Sequence, residues 1–241
     1  MPVMINTPIV SEEKWVAARK QLLAKEKELT HLRDELSKLR QELPRVKVEK
    51  EYIFDTPEGK QSLSDLFKGN SQLFVQHFML GPGWKEGCPG CSFMADHLGG
   101  ALPHLEHHDV SVVVISRATL PEIEAFRKRM GWTFNWVSSN KNDFNFDYHV
   151  SFNKADKVQY NYEMIDWAGE ELPGISAFYK DEDGTIYHTY SSYARGVERV
   201  LSTYSILDMM PKGRNEEGDM GSWMKHHDKY EAAPAHSSCC H

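Results

Sequence analysis

Apolar residues recur every seven positions between Ser11 and Leu43, as Trp15, Leu22, Leu29, Leu36 and Leu43. Ala18, Leu32 and Leu39 form a second series three positions on, broken only by Lys25. This spacing predicts a long amphipathic helix carrying a heptad seam. Ser11 is placed to cap its start, Glu12 and Glu13 to face the positive end of its dipole, and Pro44 to stop it. At 1.5 Å per residue the rod is about 50 Å long. It either lies across its own domain or pairs with a second copy of the chain.

The pattern then shortens. Val46 to Phe54 alternates as a strand, and Thr56-Pro57-Glu58-Gly59 reads as a turn. Ser62 to Phe67 forms a short helix that Lys68-Gly69-Asn70 breaks. Gln72 to Leu80 is a largely apolar strand. After a Gly- and Pro-rich loop, a helical stretch from Ser92 to about His108 is interrupted near Gly99-Gly100 and Pro103. Val110 to Ser116 is β-branched and apolar, the type buried in parallel sheets. Leu120 to Gly131 is a helix with Pro121 near its start and Gly131 at its end. Trp136 to Ser139 is a short strand, and Asn140 to Phe152 an aromatic and polar loop. Gly174 to Tyr179 and Thr185 to Tyr190 flank Asp181-Glu182-Asp183-Gly184 as a hairpin. Arg195 to Leu207 suits a last helix, and the chain from Pro211 is polar and extended. This order predicts an α/β fold, a mixed sheet flanked by helices, with an arm over residues 1–44, a domain over 45–208 and a C-terminal extension over 209–241.

Hydrophobic residues are 40 % and charged residues 26 % of the 241, and the formal net charge is −7. Nucleic acid is not an expected partner, because phosphate binding needs a clustered positive field. A membrane is not expected either, since no apolar run approaches the ~20 residues needed to span one. Met1 to Val10 lacks the pattern of a secretory signal, so the expectation is a cytoplasmic protein. In that reducing compartment the four cysteines, Cys88, Cys91, Cys239 and Cys240, point to catalysis or metal binding rather than to a structural disulfide.

Cys88-Pro89-Gly90-Cys91 falls between the buried strand 72–80 and a helix. A helix start offers unpaired N–H groups and a partial positive charge, which lower a thiol's pKa. Cys88 is then the nucleophile of disulfide exchange, and Cys91, three residues on, resolves the mixed disulfide. Pro89 costs little at a helix start, Gly90 lets a substrate backbone come close, and Trp84 is placed to shield the thiol or touch a substrate. His77, on the same strand, falls on the opposite face from Gln76 and reads as a buried, hydrogen-bonded histidine. The alternative chemistry is a metal site built from Cys88 and Cys91 with His226, His227 or the terminal Cys239-Cys240-His241. His104, His107 and His108 read as solvated. No glycine-rich nucleotide motif is present, and no organic cofactor is expected.

The run Phe74 to Met79, Gly81-Pro82, Trp84, Glu86 to Phe93 and Ala95-Asp96 resembles a bacterial and fungal thioredoxin-like family of unknown function. Its members carry the label of predicted dithiol-disulfide oxidoreductases. Ser116-Arg117-Ala118, Arg129 to Trp132, His188 to Ser191, Tyr193 to Gly196 and Trp223 to Tyr230 extend the resemblance over nearly the whole chain. The resemblance implies a thioredoxin-like fold and exchange with a thiol or disulfide substrate, protein or small molecule. The segment Gly59-Lys60 with Ser62 to Leu66 is also similar to the peroxiredoxin branch of that superfamily. Lys85 stands where that branch has Thr or Ser, which counts against peroxidase activity. Thioredoxins also carry a cis-proline opposite the dithiol, just before the hairpin. Counting back from Gly184 puts that substrate-contacting place at Ser176, and a longer hairpin turn restores it to Pro173.

Overall fold

The computed structural model describes residues 7–153, 157–216 and 221–231. Helix α1 runs Glu12–Gln41, and the Lys14 amide donates to the Ser11 side chain at its start. Its last turn carries Lys38 and Arg40, which suit the negative end of the dipole. No residue of α1 is buried.

The predicted strand from Val46 to Phe54 is two strands. β1 (Val46–Lys47) lies at one edge of the sheet, and β2 (Ile53–Thr56) near the other, where it turns into β3 (Gly59–Ser62). The alternation is continuous in sequence, but the chain crosses the molecule between the two pieces. Gly59, with φ +111°, closes the β2–β3 turn in a conformation that favours glycine. A single 3₁₀ turn, Asp65–Phe67, buries Leu66 and Phe67.

β4 (Gln72–His77) is the central strand. It is followed by α2 (Pro89–Ala95), α3 (Leu102–His107) and β5 (Val110–Ser116), which pairs parallel to β4. α4 (Leu120–Met130) begins with a reciprocal cap between Thr119 and Glu122 and ends on Gly131 at φ +66°. β6 (Asn135–Ser138) adds parallel to β5, and α5 (Phe144–Asp147) supplies a short turn within the predicted aromatic loop. A small hairpin of β7 (Lys157–Tyr160) and β8 (Glu163–Asp166) was not expected from the pattern. Its two-residue turn, Asn161-Tyr162, has both φ angles positive, so a tyrosine sits where glycine would normally announce the turn.

β9 (Gly174–Lys180) lies antiparallel to β4, and β10 (Ile186–Tyr193) antiparallel to β9. The predicted last helix is a 3₁₀ segment, Ala194–Val200, followed by α6 (Ser202–Leu207). The eight-stranded sheet has the order β1-β10-β9-β4-β5-β6-β2-β3. Three parallel strands with an antiparallel hairpin beside the first make this a thioredoxin-like mixed sheet flanked by helices.

Strand alternation divides the core. Val112, Val114 and Trp136 pack one face against Ala95 of α2 and Ile123, Phe126 and Met130 of α4. Leu73, Val75, Val113 and Ile115 pack the other against Phe54, Leu66, Phe67 and Phe144. The C-terminal segment is not simply extended. Residues 221–231 return to the domain, and His226 is buried. Among the described residues no helix is long and apolar enough to cross a membrane.

Candidate active site

β4 delivers the chain to the dithiol, and Met79, just beyond it, holds both cysteines. The Cys88 amide donates to the Met79 carbonyl at 3.0 Å, and the Met79 amide donates to Cys91 Sγ at 3.4 Å. α2 starts directly after Cys88, with Pro89 in its first turn, where a missing N–H leaves no bond unmade. The Ser92 amide and hydroxyl both donate to the Cys88 carbonyl, which fixes the first turn. The two thiols are free. Cys88 is half-buried, while Cys91 is 4 % exposed.

That difference in burial, with one hydrogen bond, separates their chemistry. The Cys91 thiol donates to the Cys88 sulfur, and the backbone amides of Cys91 and Gly90 add to it, so Cys88 is held well below the usual thiol range, down to about 6. The same bond, together with burial, pushes Cys91 up. At neutral pH the accessible sulfur is a thiolate and the buried one a thiol. Gly90 is exposed, and a Cβ there would sit 3.8 Å from Cys88 Sγ. Gly87 cannot carry a side chain: a Cβ would run into the Phe78 ring and come within 3.0 Å of Phe126.

Beside the dithiol lies a cavity of about 180 Å³, lined by Cys88, Gly90, Cys91, Pro173 and apolar side chains of α2, α6 and the C-terminal segment. Ser176 is not part of this wall. It pairs with Val75 in the sheet, is 1 % exposed, and turns its hydroxyl to His77 Nε2 at 2.8 Å and to Ser191 at 2.7 Å. Pro173, immediately before β9 and joined by a trans peptide bond, lines the cavity where Ser176 does not. Trp84 is half-buried and packs with the α4 side of the core, not at the cavity. Pro89 lies in the first turn of α2 without lining it.

His77 is buried and hydrogen-bonded, with burial pushing its pKa down to about 3, so it is neutral at physiological pH. His77 and its neighbour Gln76 both line the cavity, and Gln76 is the one bonded to the dithiol segment. Its Nε2 donates to the Cys91 carbonyl at 2.9 Å, and it is fully buried. The signal for it in the sequence is a glutamine between Phe74 and Phe78 on the helix-facing side of an apolar strand.

Three further groups support the loop before Cys88. His226 Nε2 meets the Gly87 carbonyl at 2.8 Å, Arg129 bridges Glu86 and Asp228, and Lys229 pairs with Glu86. His227 Nδ1 bonds Asp96 at 2.7 Å. The two histidines thus clasp the loop and the end of α2 rather than converging with the thiols. Among the described residues no group of three or more His, Cys, Asp or Glu side chains is arranged to hold a metal ion. Cys239, Cys240 and His241 lie outside the described residues. On the Cys91 side, Glu171 is 2 % exposed and held by Arg117 at 2.6 Å and Ser151 at 2.7 Å. Burial raises its pKa, with Arg117 opposing.

Among solved structures, the chain is similar to peroxidoxin BcpB from Mycobacterium tuberculosis, at 14 % identity over 67 % of this chain and 95 % of that one, with a TM-score of 0.45. It is also similar to PrxQ of Xylella fastidiosa, at 17 % identity over 64 % and 88 %, TM-score 0.42. A third likeness is to the mitochondrial 2-Cys peroxiredoxin from Plasmodium falciparum, at 16 % identity over 73 % and 97 %, TM-score 0.40. No curated protein matches the chain. A family model described as "Bacterial protein of unknown function (DUF899)" matches residues 4–230, and the chain belongs to that family.

Proposed function

We propose that this protein is a thiol–disulfide oxidoreductase in which Cys88 attacks and Cys91 resolves. The observation that carries the reading is the placement of the two sulfurs at the start of α2: Cys88 half-buried beside a cavity, Cys91 one turn on, buried and held by the Met79 amide. The Cys88 thiolate attacks one sulfur of a substrate disulfide, forming a mixed disulfide and releasing a thiolate. Bonding to Cys88 then removes the negative charge that held the Cys91 proton. Cys91 gives its proton to the departing thiolate and attacks Cys88 Sγ, closing the Cys88–Cys91 disulfide and releasing the second arm as a thiolate, which takes a proton from water. The substrate gains two electrons and the dithiol loses two. A metal-binding role for Cys88 and Cys91 draws no support from the described residues.

The test is to equilibrate the protein in graded glutathione buffers, alkylate the free thiols, and read the Cys88–Cys91 peptide by mass spectrometry. A reversible two-electron transition is expected, and it disappears in Cys88→Ser. Thiols that stay reduced across the series, or a Cys88→Ser protein with full exchange activity, would overturn the proposal.

A further inference from the structure

The cavity beside the dithiol is small and apolar, and Phe93, Met94, Leu201, Tyr204 and Met224 are part of its wall. It reaches the nucleophile, since half-buried Cys88 and exposed Gly90 both line it. At about 180 Å³ it is close in size to cavities that hold a single benzene-sized molecule. Glu198 also lines it, but its carboxylate is engaged by Arg195 at 2.6 Å and Arg214 at 2.9 Å.

Two residues of this wall carry a buried polar atom with no partner among the protein atoms, Gln76 at Oε1 and His77 at Nδ1. Gln76 is fully buried, and its Nε2 donates to the Cys91 carbonyl. Because a carbonyl can only accept, that bond fixes which way round the amide stands. The remaining Oε1 is buried with no partner among the protein atoms. A buried acceptor left unpaired costs about 1–3 kcal/mol, and an O–H or N–H brought by a ligand removes that cost.

We infer that the cavity seats one arm of a small, uncharged disulfide bearing an O–H or N–H donor, which bonds Gln76 Oε1 while the S–S bond lies at Cys88; this rests on the exchange reading above. The selected substrate class is thus low-molecular-weight hydroxyl- or amide-bearing disulfides, in preference to glutathione disulfide or protein disulfides. A glutathionyl arm is too large for the space and would bring carboxylates against an apolar wall. In the exchange, Cys88 Sγ bonds the sulfur of the seated arm and the other arm leaves as thiolate. Cys91 then displaces the seated arm, its proton passing to one leaving sulfur while the other leaves as a thiolate, so that one disulfide yields a thiol, a thiolate and the Cys88–Cys91 disulfide.

The experiment mixes pre-reduced full-length protein with bis(2-hydroxyethyl) disulfide, diethyl disulfide, glutathione disulfide or insulin. Oxidation of the Cys88–Cys91 peptide is followed by quenching, alkylation and mass spectrometry, which separates it from Cys239 and Cys240. Each rate is divided by that of the same disulfide with a free small thiol, to remove intrinsic reactivity. The hydroxyl-bearing disulfide is expected to lead each of the others by about tenfold or more, the factor that corresponds to one satisfied buried acceptor. Gln76→Leu is expected to erase its lead over diethyl disulfide. Met224→Trp and Val197→Phe, which fill the cavity from two sides, are expected to erase its lead over glutathione disulfide while the glutathione midpoint stays put. Equal normalised rates for all four disulfides, with a reversible Cys88–Cys91 couple, would overturn the inference and leave the exchange reading standing. No disulfide at Cys88–Cys91 with any oxidant would overturn both.

Discussion

Helices α1 and α2 are opposites. α1 has 30 residues and buries none, leaving Trp15 58 % and Leu22 55 % exposed. α2 has seven residues, begins Pro-Gly-Cys, and buries five of them. The first is held by local chemistry: a serine cap, acidic and basic ends that suit the dipole, and ion pairs such as Lys25–Glu28 along its surface. The second has little local reason to be helical, being short and carrying residues of poor propensity. It exists because Cys91, Phe93, Met94 and Ala95 pack against the sheet and the C-terminal segment. The proposed chemistry depends on the helix that tertiary structure enforces, and the surface left for a partner lies on the helix that forms from its own sequence.

The largest effect that would sharpen this contrast is at the resolving position. Cys91→Ser is expected to stop turnover after the first step and leave a stable adduct on Cys88, seen as the mass of one substrate arm on that peptide. An unmodified Cys88 after exposure to disulfide would break the assignment. Next is the loop that sets α2 in place. Gly87→Ala drives a methyl into Phe78 and Phe126, so a loss of about 1–3 kcal/mol is expected, checked by urea or thermal unfolding. An unchanged midpoint would show that the loop is looser than its packing implies.

A smaller, graded effect concerns pH. The Cys91 thiol and two backbone amides favour the charged form of Cys88, lowering its pKa to about 6, so the thiolate is present above that value and is lost as pH falls through it. Alkylation of Cys88 by iodoacetamide is expected to be flat above about pH 7 and to fall about tenfold per pH unit well below 6. In Cys91→Ala the midpoint is expected to move up, toward the ~8.5 of a free cysteine. A midpoint that stays put would assign the effect to the backbone amides alone.

The smallest effect on stability is expected from α1. Because none of its residues is buried, removing residues 1–44 is expected to shift the domain's unfolding free energy by no more than about 0.5 kcal/mol. The same deletion tests the seam itself. Trp15, Leu22, Leu29, Leu32, Leu36, Leu39 and Leu43 are all exposed, and a second copy is the partner we expect to cover them. Gel filtration should then show a dimer for the full chain and a monomer for the deletion. A dimer that survives would remove α1 from the assembly.

The parts of the fold legible in the sequence share a feature: their signals are local and redundant. The heptads and Ser11 define α1, the β-branched run defines β5, and Thr119, Pro121 and Gly131 bracket α4. The β7–β8 hairpin was not legible because its turn residues, Asn161 and Tyr162, lack the glycine that usually marks such a turn. The split between β1 and β2 was hidden for another reason, since pairing partners at opposite ends of a sheet leave no trace in alternation. At the site, the spacing of Cys88 and Cys91 is legible in the sequence, whereas the burial of Ser176 away from the cavity and the place of Gln76 beside the dithiol are not.

By itself, the sequence determined the dithiol, its place between a strand and a helix, and the long apolar seam, because each depends on residues near one another in the chain. Only the tertiary structure decided which sulfur is buried, that Pro173 rather than Ser176 lines the cavity beside the dithiol, that His226 and His227 clasp the loop instead of joining the thiols, and that Gln76 lines the cavity with its amide oxygen unpartnered. Burial, and the partners a buried polar group finds, are set by segments far apart in the chain, 139 residues for His226 and Gly87. No local pattern encodes that encounter.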